Sequence, residues 1–257
     1  KRGKDSMTIA VKRALSLLDL FSESRPEIGL SDAARLSGHD KATVHRLLNT
    51  LREAGLIEQS AGSKLYRLGP AVLHLARMRE ATFPVIAVVQ PMLDALAEAT
   101  GETAHCSLYT NNTLAVIATT ESKKANRVSM RGSETLPFHA TASGLAFLAF
   151  AAPDVVARAM ALPLMAFTPN TITTQAQLLA ALTETRRLGY ASIDKSYEGD
   201  VCGIGCPVFG ADNTAVGAIA VATPCHRLTA ELHAVIVQAV QAAARELTRK
   251  LGNAQPG

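Results

Sequence analysis

The chain has 257 residues, 48% of them apolar, no tryptophan, and a formal net charge of +4. That length is enough for two packed domains. Its apolar runs, such as Ala218–Ala222, are far too short to cross a bilayer, and no signal-peptide pattern opens the chain, so a cytoplasmic protein with no membrane partner is expected.

The charge is unevenly placed. Residues 1–80 carry 14 Lys/Arg against 9 Asp/Glu, whereas residues 81–257 carry 12 against 13. A basic excess confined to one end is the electrostatic footprint of a phosphate-binding domain. Lys1 to Lys4 reads as a mobile arm, either touching nucleic acid or simply solvated. A first helix is predicted over Thr8–Ser22, with Val11, Ala14, Leu15, Leu18 and Phe21 on its packing face.

Two helical patterns follow between Gly29 and Ile57. The first covers Asp32–Leu36, with Ser31 as its expected N-cap. Gly38 supplies the positive φ that a tight helix exit favours. The second runs from Asp40 or Lys41 to about Ala54, and Val44, Leu47, Leu48, Leu51 and Ala54 make one apolar stripe. Its opposite face carries Lys41, Thr43, His45, Arg46, Asn49, Thr50 and Arg52. A glycine-containing turn between two such helices is the layout of a helix-turn-helix, whose second helix reads the DNA major groove. Lys, Thr, His and Arg in that helix's first turns can donate to phosphates and base edges. The bland alternative is a solvated helical hairpin. Alternating segments at Ile57–Gln59 and Leu65–Leu68, around the turn Ser60–Ser63, then predict a β-hairpin wing. Lys64 and Arg67 would flank the DNA backbone, and Tyr66 would pack inside.

Three segments, AVKRALSLLDLF (Ala10–Phe21), ATVHRLLNTLREAGLI (Ala42–Ile57) and YRLGPAVLHLA (Tyr66–Ala76), resemble the winged helix-turn-helix of IclR-type bacterial transcriptional regulators. LPFHATASGLAFLAF (Leu136–Phe150) resembles the most recognisable motif of that family's ligand-binding domain. The resemblance spans nearly the whole chain, in order and at the right spacing. It implies residues 1–69 as a winged DNA-binding domain, 70–82 as a connecting helix, and 83–257 as a GAF-like or profilin-like effector and oligomerisation domain. The partners implied are double-stranded operator DNA, a small carboxylate effector and further copies of the chain, as a homodimer or homotetramer. Repression is the commoner mode in the family.

Beyond the boundary at Phe83-Pro84, the pattern predicts an α+β domain. A helix at Val85–Thr100 precedes a hairpin of Thr103–Thr110 and Thr113–Thr119, turning at Asn111-Asn112. Arg127–Arg131 reads as a third strand. Helices are expected at Thr141–Ala151, Asp154–Met160 and Thr174–Leu188, strands at Tyr190–Asp194, Gly203–Phe209 and Ala215–Thr223, and a closing helix at Leu228–Leu251. The sum is an antiparallel sheet of about six strands with helices packed against it.

The helix start near Thr141, built from small residues, leaves backbone N–H groups and positive helix-dipole potential available to an anion without any charged side chain. A tight helix-to-sheet contact is the alternative. The resemblance implies that small carboxylic acids bind here, at Leu136, Ala142, Ser143, Ile193 or Asp194, Gly203, Ala220 and Ala222. Family members that bind very small oxoacids place a carboxylate, a thiol and two serine hydroxyls at the last positions, where this chain has Ile193, Gly203, Ala220 and Ala222. Such an apolar pocket leaves a small oxoacid's oxygens unpaired. An aromatic or branched acid is therefore expected, its carboxyl at Ala142-Ser143 and its body against Val128, Met130, Phe138 and Ala220, with His105 or His139 near a ligand hydroxyl.

Catalysis finds little support. Ser143 and His139 suggest a nucleophile and base, but no G-x-S-x-G elbow, phosphate loop or metal set accompanies them. No cofactor is expected. Cys202 and Cys206 lack the spacing of common zinc sites, and a cluster with His105 is a remote alternative. In a cytoplasmic protein, Cys106, Cys202, Cys206 and Cys225 read as small buried thiols rather than disulfides. A second domain serving only oligomerisation remains an alternative.

Overall fold

The structure, a computed structural model, describes residues 2–22, 24–130 and 135–253. It divides into two compact units, Lys1–Phe83 and Pro84–Gly257.

In the first unit, α1 (Arg2–Ser16) is followed by a 3-10 turn at Leu18–Leu20. The arm expected at Lys1 to Lys4 is thus replaced from Arg2 onward by helix, and Lys1 lies outside the described residues. The predicted packing face is also corrected. Ala14 and Leu17 enter the core, Leu18 and Phe21 flank it, and Val11 and Leu15 are exposed. Helix α2 (Leu30–Ser37) starts two residues earlier than expected, with Gly29 rather than Ser31 at its N-cap. It exits through Gly38 at φ 70°, as the turn requires. Helix α3 (Lys41–Glu53) is capped by Asp40, whose side chain accepts from the Thr43 N–H at 2.9 Å. Its Val44, Leu48 and Leu51 join Ala33, Ile57 and Tyr66 in one core. The wing is three-stranded: β1 (Glu27–Ile28) adds to β3 (Tyr66–Leu68), which pairs with β2 (Ile57–Gln59), in the order β1-β3-β2. Helix α4 (Pro70–Thr82) buries no residue and exposes Leu73, Leu75 and Met78.

The second unit is built on an antiparallel sheet in the order β6-β5-β4-β9-β8-β7. Strands β4 (Thr103–Thr110) and β5 (Thr113–Thr120) turn at Asn111 and Asn112, both at positive φ as a two-residue hairpin of this type demands. Strand β6 is Thr135–Leu136, paired through Leu136 to Leu114. The strand expected at Arg127–Arg131 does not form: residues 127–130 are irregular, and Arg131 lies outside the described residues. The Val128 carbonyl is taken instead by the Thr103 hydroxyl at 2.6 Å, a side-chain bond in place of a ladder bond. Strands β7 (Ala191–Asp194), β8 (Val201–Phe209) and β9 (Ala215–Pro224) complete the sheet.

Side-chain alternation divides the sheet's two faces. Cys106, Ile204, Cys206, Ile219 and Val221 pack with α5 (Val85–Thr100) and α9 (Ala230–Asn253). Leu114, Val116, Ala191 and Ala218 face α6 (Ala142–Phe150), α7 (Pro153–Met160) and α8 (Gln175–Leu188). The reading of four free thiols is corrected here. Cys202 and Cys225 form a disulfide, because Cys225 follows directly on β9, where Thr223 pairs with Cys202, while Cys106 and Cys206 stay free and buried. A cluster of Cys202, Cys206 and His105 is ruled out by the same alternation: Cys206 faces α5 and α9, and His105 points to the other face, where it meets Ser143. No single described helix is long and apolar enough to cross a membrane.

Candidate nucleic-acid face and effector pocket

Asp40 fixes the start of α3 so that the helix's apolar stripe points inward and its polar residues point out. Lys41, His45, Arg46 and Thr50 are exposed, and Thr43 and Asn49 half-buried. Arg46 reaches Thr43 at 3.4 Å and Asn49 reaches His45 at 3.4 Å, so the side chains form a loose, re-orientable polar surface. At the wing, Lys64 is exposed at φ 61°, and its carbonyl accepts from Gln59 at 2.8 Å. Arg67 is exposed too, but its Nε donates to Glu58 at 2.6 Å and Glu27 stands 4.0 Å away. A phosphate contact would use the guanidinium's remaining N–H donors, beside two carboxylates that offset its charge. Tyr66 is buried, as a packing residue should be.

A pocket opens in the second unit between the start of α6 and the α6-facing side of the sheet. Its non-atom space, counting the open solvent at its mouth, is about 530 Å³. Helix α6 is capped by Thr141, whose hydroxyl accepts from Gly144 N–H at 3.0 Å and donates to the Pro137 carbonyl at 2.9 Å. Ala142 and Ser143 form its first turn, where backbone N–H groups lack partners within the helix. Strand β8 passes close beneath: a Cβ on Gly205 would come within 3.0 Å of the Ala142 backbone, and one on Gly203 within 3.2 Å of the Ala142 side chain. Only glycine allows that approach without displacement.

Of the expected pocket residues, Val128, Met130, Leu136, Ala142, Ser143, Gly203, Ala220 and Ala222 line the cavity together. Two do not. Phe138 stacks on Phe147 at 5.8 Å and faces a separate cleft with His139 and Met165. Asp194 pairs with Cys202, one register step beyond the Ile193–Gly203 pair, so Ile193 faces the pocket and Asp194 the opposite side. His139 is likewise excluded, its Nε2–H donating to the Met165 carbonyl at 2.9 Å. Tyr197, Glu198 and Val201, from the β7–β8 connection and the start of β8, line the pocket unpredicted. A short link between two adjacent strands that flank the cavity is the signal that points to them.

His105 is the pocket's one histidine among the described residues, with Nε2 2.9 Å from the Ser143 hydroxyl. Burial pushes its imidazole down to about 4, so the ring is neutral near pH 7. Its Nδ1 is buried without a protein partner. The pair resembles a nucleophile and base only in distance. Among the described residues no acidic group bonds the ring's Nδ1, and a base this weak takes a serine proton poorly.

Comparison with known proteins agrees with both halves of this picture. The profile of the IclR helix-turn-helix domain matches residues 10–61, and that of the bacterial transcriptional regulator IclR C-terminal domain matches residues 81–249. The chain is 30% identical to the HTH-type transcriptional regulator XynR of Escherichia coli, over 95% of this chain and 97% of that protein. It is 26% identical to the transcriptional repressor IclR of the same organism, over 95% and 90%. Among solved structures, an IclR-type regulator from Silicibacter sp. TM1040 superposes with a TM-score of 0.91 at 45% identity, covering 96% and 98% of the two chains. An IclR homologue from Microbacterium hydrocarbonoxydans, complexed with 4-hydroxybenzoate, shares the fold at a TM-score of 0.74 and 23% identity, covering 94% and 98%. The chain belongs to the IclR family of bacterial transcriptional regulators, which join a helix-turn-helix DNA-binding domain to an effector-binding domain.

Proposed function

We propose that this regulator is a cytoplasmic repressor that senses an aromatic or branched carboxylic acid. The observation that carries the reading is the pocket's polarity. Its apolar lining includes Val128, Met130, Leu136, Ile193, Ala220 and Ala222; among its polar groups, which also include Ser129, Tyr197 and Glu198, Ser143 and His105 meet beside the α6 N-terminus. A carboxylate set against Ala142 and Ser143 meets backbone donors and the helix dipole. The apolar body then removes the hydrocarbon walls from water, and neutral His105 is free to accept from or donate to a ligand hydroxyl. The 4-hydroxybenzoate held by the Microbacterium homologue has this chemistry, and the repressor name of the Escherichia coli relative supports the sign of regulation.

DNA recognition rests on Lys41, Thr43, His45, Arg46, Asn49 and Thr50, with Lys64 and Arg67 on the wing. Helix α4 connects the domains. Its exposed Leu73, Leu75 and Met78, and Ile9, Val11 and Leu15 of α1, are apolar surface suited to pairing with a second copy, giving a dimer or dimer of dimers on a roughly palindromic operator. The acid acts by preferring one arrangement of the DNA-binding domains over another.

The test is selection of bound duplexes from a random-sequence pool, with and without 4-hydroxybenzoate. Inverted repeats whose affinity falls on adding the acid are expected. A pool without enrichment would overturn the DNA reading, and enriched repeats indifferent to every acid in a carboxylate panel would favour a second domain used only for assembly.

A further inference from the structure

We propose that Cys202 and Cys225 form a reversible thiol–disulfide site, oxidised by a peroxide, that sets how firmly the rim of the pocket is held. The thiol chemistry stands apart from the ligand assignment; only its consequence for an effector rests on the pocket being the effector site.

The geometry separates this pair from the other two cysteines. Cys225 is half-buried and Cys202 is 4% exposed, which gives an accessible attacking sulfur and a sheltered resolving one. Cys106 and Cys206 are buried on the α5/α9 face, where burial pushes both thiols up to about 12 and leaves them unreactive. The Cys225 thiolate attacks one oxygen of hydrogen peroxide, the O–O bond breaks, and the departing hydroxide takes up a proton as water. The sulfenic acid left on Cys225 is then attacked by the Cys202 sulfur. The S–O bond breaks, and hydroxide leaves with the Cys202 proton as a second water. Two thiols and one peroxide become one disulfide and two waters. A small thiol reverses the step by exchange, itself becoming the oxidised disulfide.

Asp194 makes the pair a two-state device rather than a fixed staple. Its Oδ1 lies 3.2 Å from the Cys202 sulfur and 3.5 Å from the Cys225 sulfur. In the reduced form each S–H can donate to that carboxylate. In the disulfide, the state in which these distances are found, neither sulfur carries a hydrogen, so the carboxylate faces both sulfurs without a hydrogen bond. Asp194 therefore favours the reduced state, and its negative charge opposes thiolate formation and slows oxidation.

The disulfide also joins the pocket's two walls. Cys202 lies between Val201 and Gly203, both of which line the cavity. Cys225 opens a 3-10 turn, Cys225–Arg227, and its N–H donates to the Asp200 carbonyl at 2.8 Å. In the same turn, Arg227 grips fully buried Glu102 through two bonds of 2.9 and 2.7 Å and donates to the Asn126 carbonyl at 2.6 Å. Residues 126–130 then run on to Val128 and Met130, the opposite wall. One covalent bond thus ties the β8 wall to the turn that anchors the chain of the other. Reduction removes that tie and leaves the rim held by hydrogen bonds alone.

The test compares fully reduced protein, the same protein after hydrogen peroxide, and Cys225→Ser. Differential alkylation with mass spectrometry should show loss of two of the four thiols and a crosslink between the peptides carrying Cys202 and Cys225, undone by millimolar reduced glutathione. Melting temperature should rise by several degrees on oxidation of the wild type and stay constant in Cys225→Ser. Amide exchange in 124–130 and 199–204 should slow at least threefold on oxidation, a readout that needs no ligand. Asp194→Asn should oxidise faster and resist glutathione longer. Failure of the crosslink to form, failure of glutathione to reverse it, or exchange unchanged by oxidation would overturn the proposal. So would stoichiometric Zn²⁺ binding by the reduced pair that protects it from peroxide, since Asp194, Cys202 and Cys225 place their ligand atoms within 4.8 Å of one another.

Discussion

The two units keep their function in opposite places. The first spends its apolar residues on a small core around Leu48, Ile57 and Tyr66 and carries its candidate reading residues on the exposed side of one helix. The second sandwiches a sheet between helices and encloses its candidate site among residues drawn from 105 to 222. Two consequences follow. Substitutions at the α3 surface should change binding and leave folding alone, whereas substitutions at the pocket and its supports should disturb both. An outward helix face is also local in sequence, and a pocket is not.

The sharpest way to break this contrast lies just before β4. Glu102 is fully buried, and burial alone would push its carboxyl up, but hydrogen bonds and charge from Arg227 and Lys124 together hold it below the usual carboxylate range. Glu102→Ala leaves Arg227 only the Asn126 carbonyl and should cost about 3 kcal/mol, the lower end for a broken buried pair, because Lys124 can turn to solvent. Chemical denaturation followed in the second unit should show it. Because the folded group is more acidic than the unfolded one, the stabilisation is present at neutral pH and lost as pH falls through the lowered value.

His105 gives the next largest effect. Its folded pKa, about 4, lies below the ordinary 6.5, so the unfolded chain binds the extra proton between those values. Stability from this group is full above pH 6.5 and should decline by roughly 3 kcal/mol as pH falls toward 4. His105→Gln should flatten that part of the stability–pH curve. An unchanged slope would mean that the ring is solvated rather than buried.

At the DNA face the expected pattern reverses. Arg46→Ala should weaken operator binding by about 1–3 kcal/mol and reduce the salt slope by about one if the contact is to phosphate, with no change in melting temperature. A loss of stability would show that α3's outer face is structural. The smallest effect is expected at the cap of α6: Thr141→Val should cost about 1 kcal/mol by removing the acceptor for Gly144 N–H. It should also weaken carboxylate binding, because the first turn that presents the backbone donors loosens.

What could be read from sequence follows the same division. Helix α3, its apolar stripe, the exit at Gly38 and the wing were all legible, because each is encoded within a few residues. Strand β1 was not, since Glu27 and Ile28 are extended only because Arg67 and Tyr66 pair with them forty residues later. The expected strand at Arg127–Arg131 had the right composition, but the Thr103 hydroxyl takes the Val128 carbonyl, and the edge position goes to Thr135–Leu136. In the pocket, the motif around Ala142 and Ser143 and the small residues at 203, 220 and 222 were legible through the family resemblance. Ile193 against Asp194 was a choice between adjacent residues on one strand. Only the register with Gly203 decides it, and periodicity cannot supply that register. The disulfide was hidden for a related reason: the two cysteines lie 23 residues apart and meet only because β8 and β9 pair.

The most direct test of the account is a thermal-shift titration of the purified protein with 4-hydroxybenzoate and with glyoxylate, alongside Ala220→Ser/Ala222→Ser. An acid near one hundred times its dissociation constant stabilises by about 2.7 kcal/mol, a shift of several degrees. That shift is expected with the aromatic acid, little with glyoxylate, and weaker aromatic binding in the serine variant. A shift with glyoxylate alone, or tighter aromatic binding in the serine variant, would contradict it.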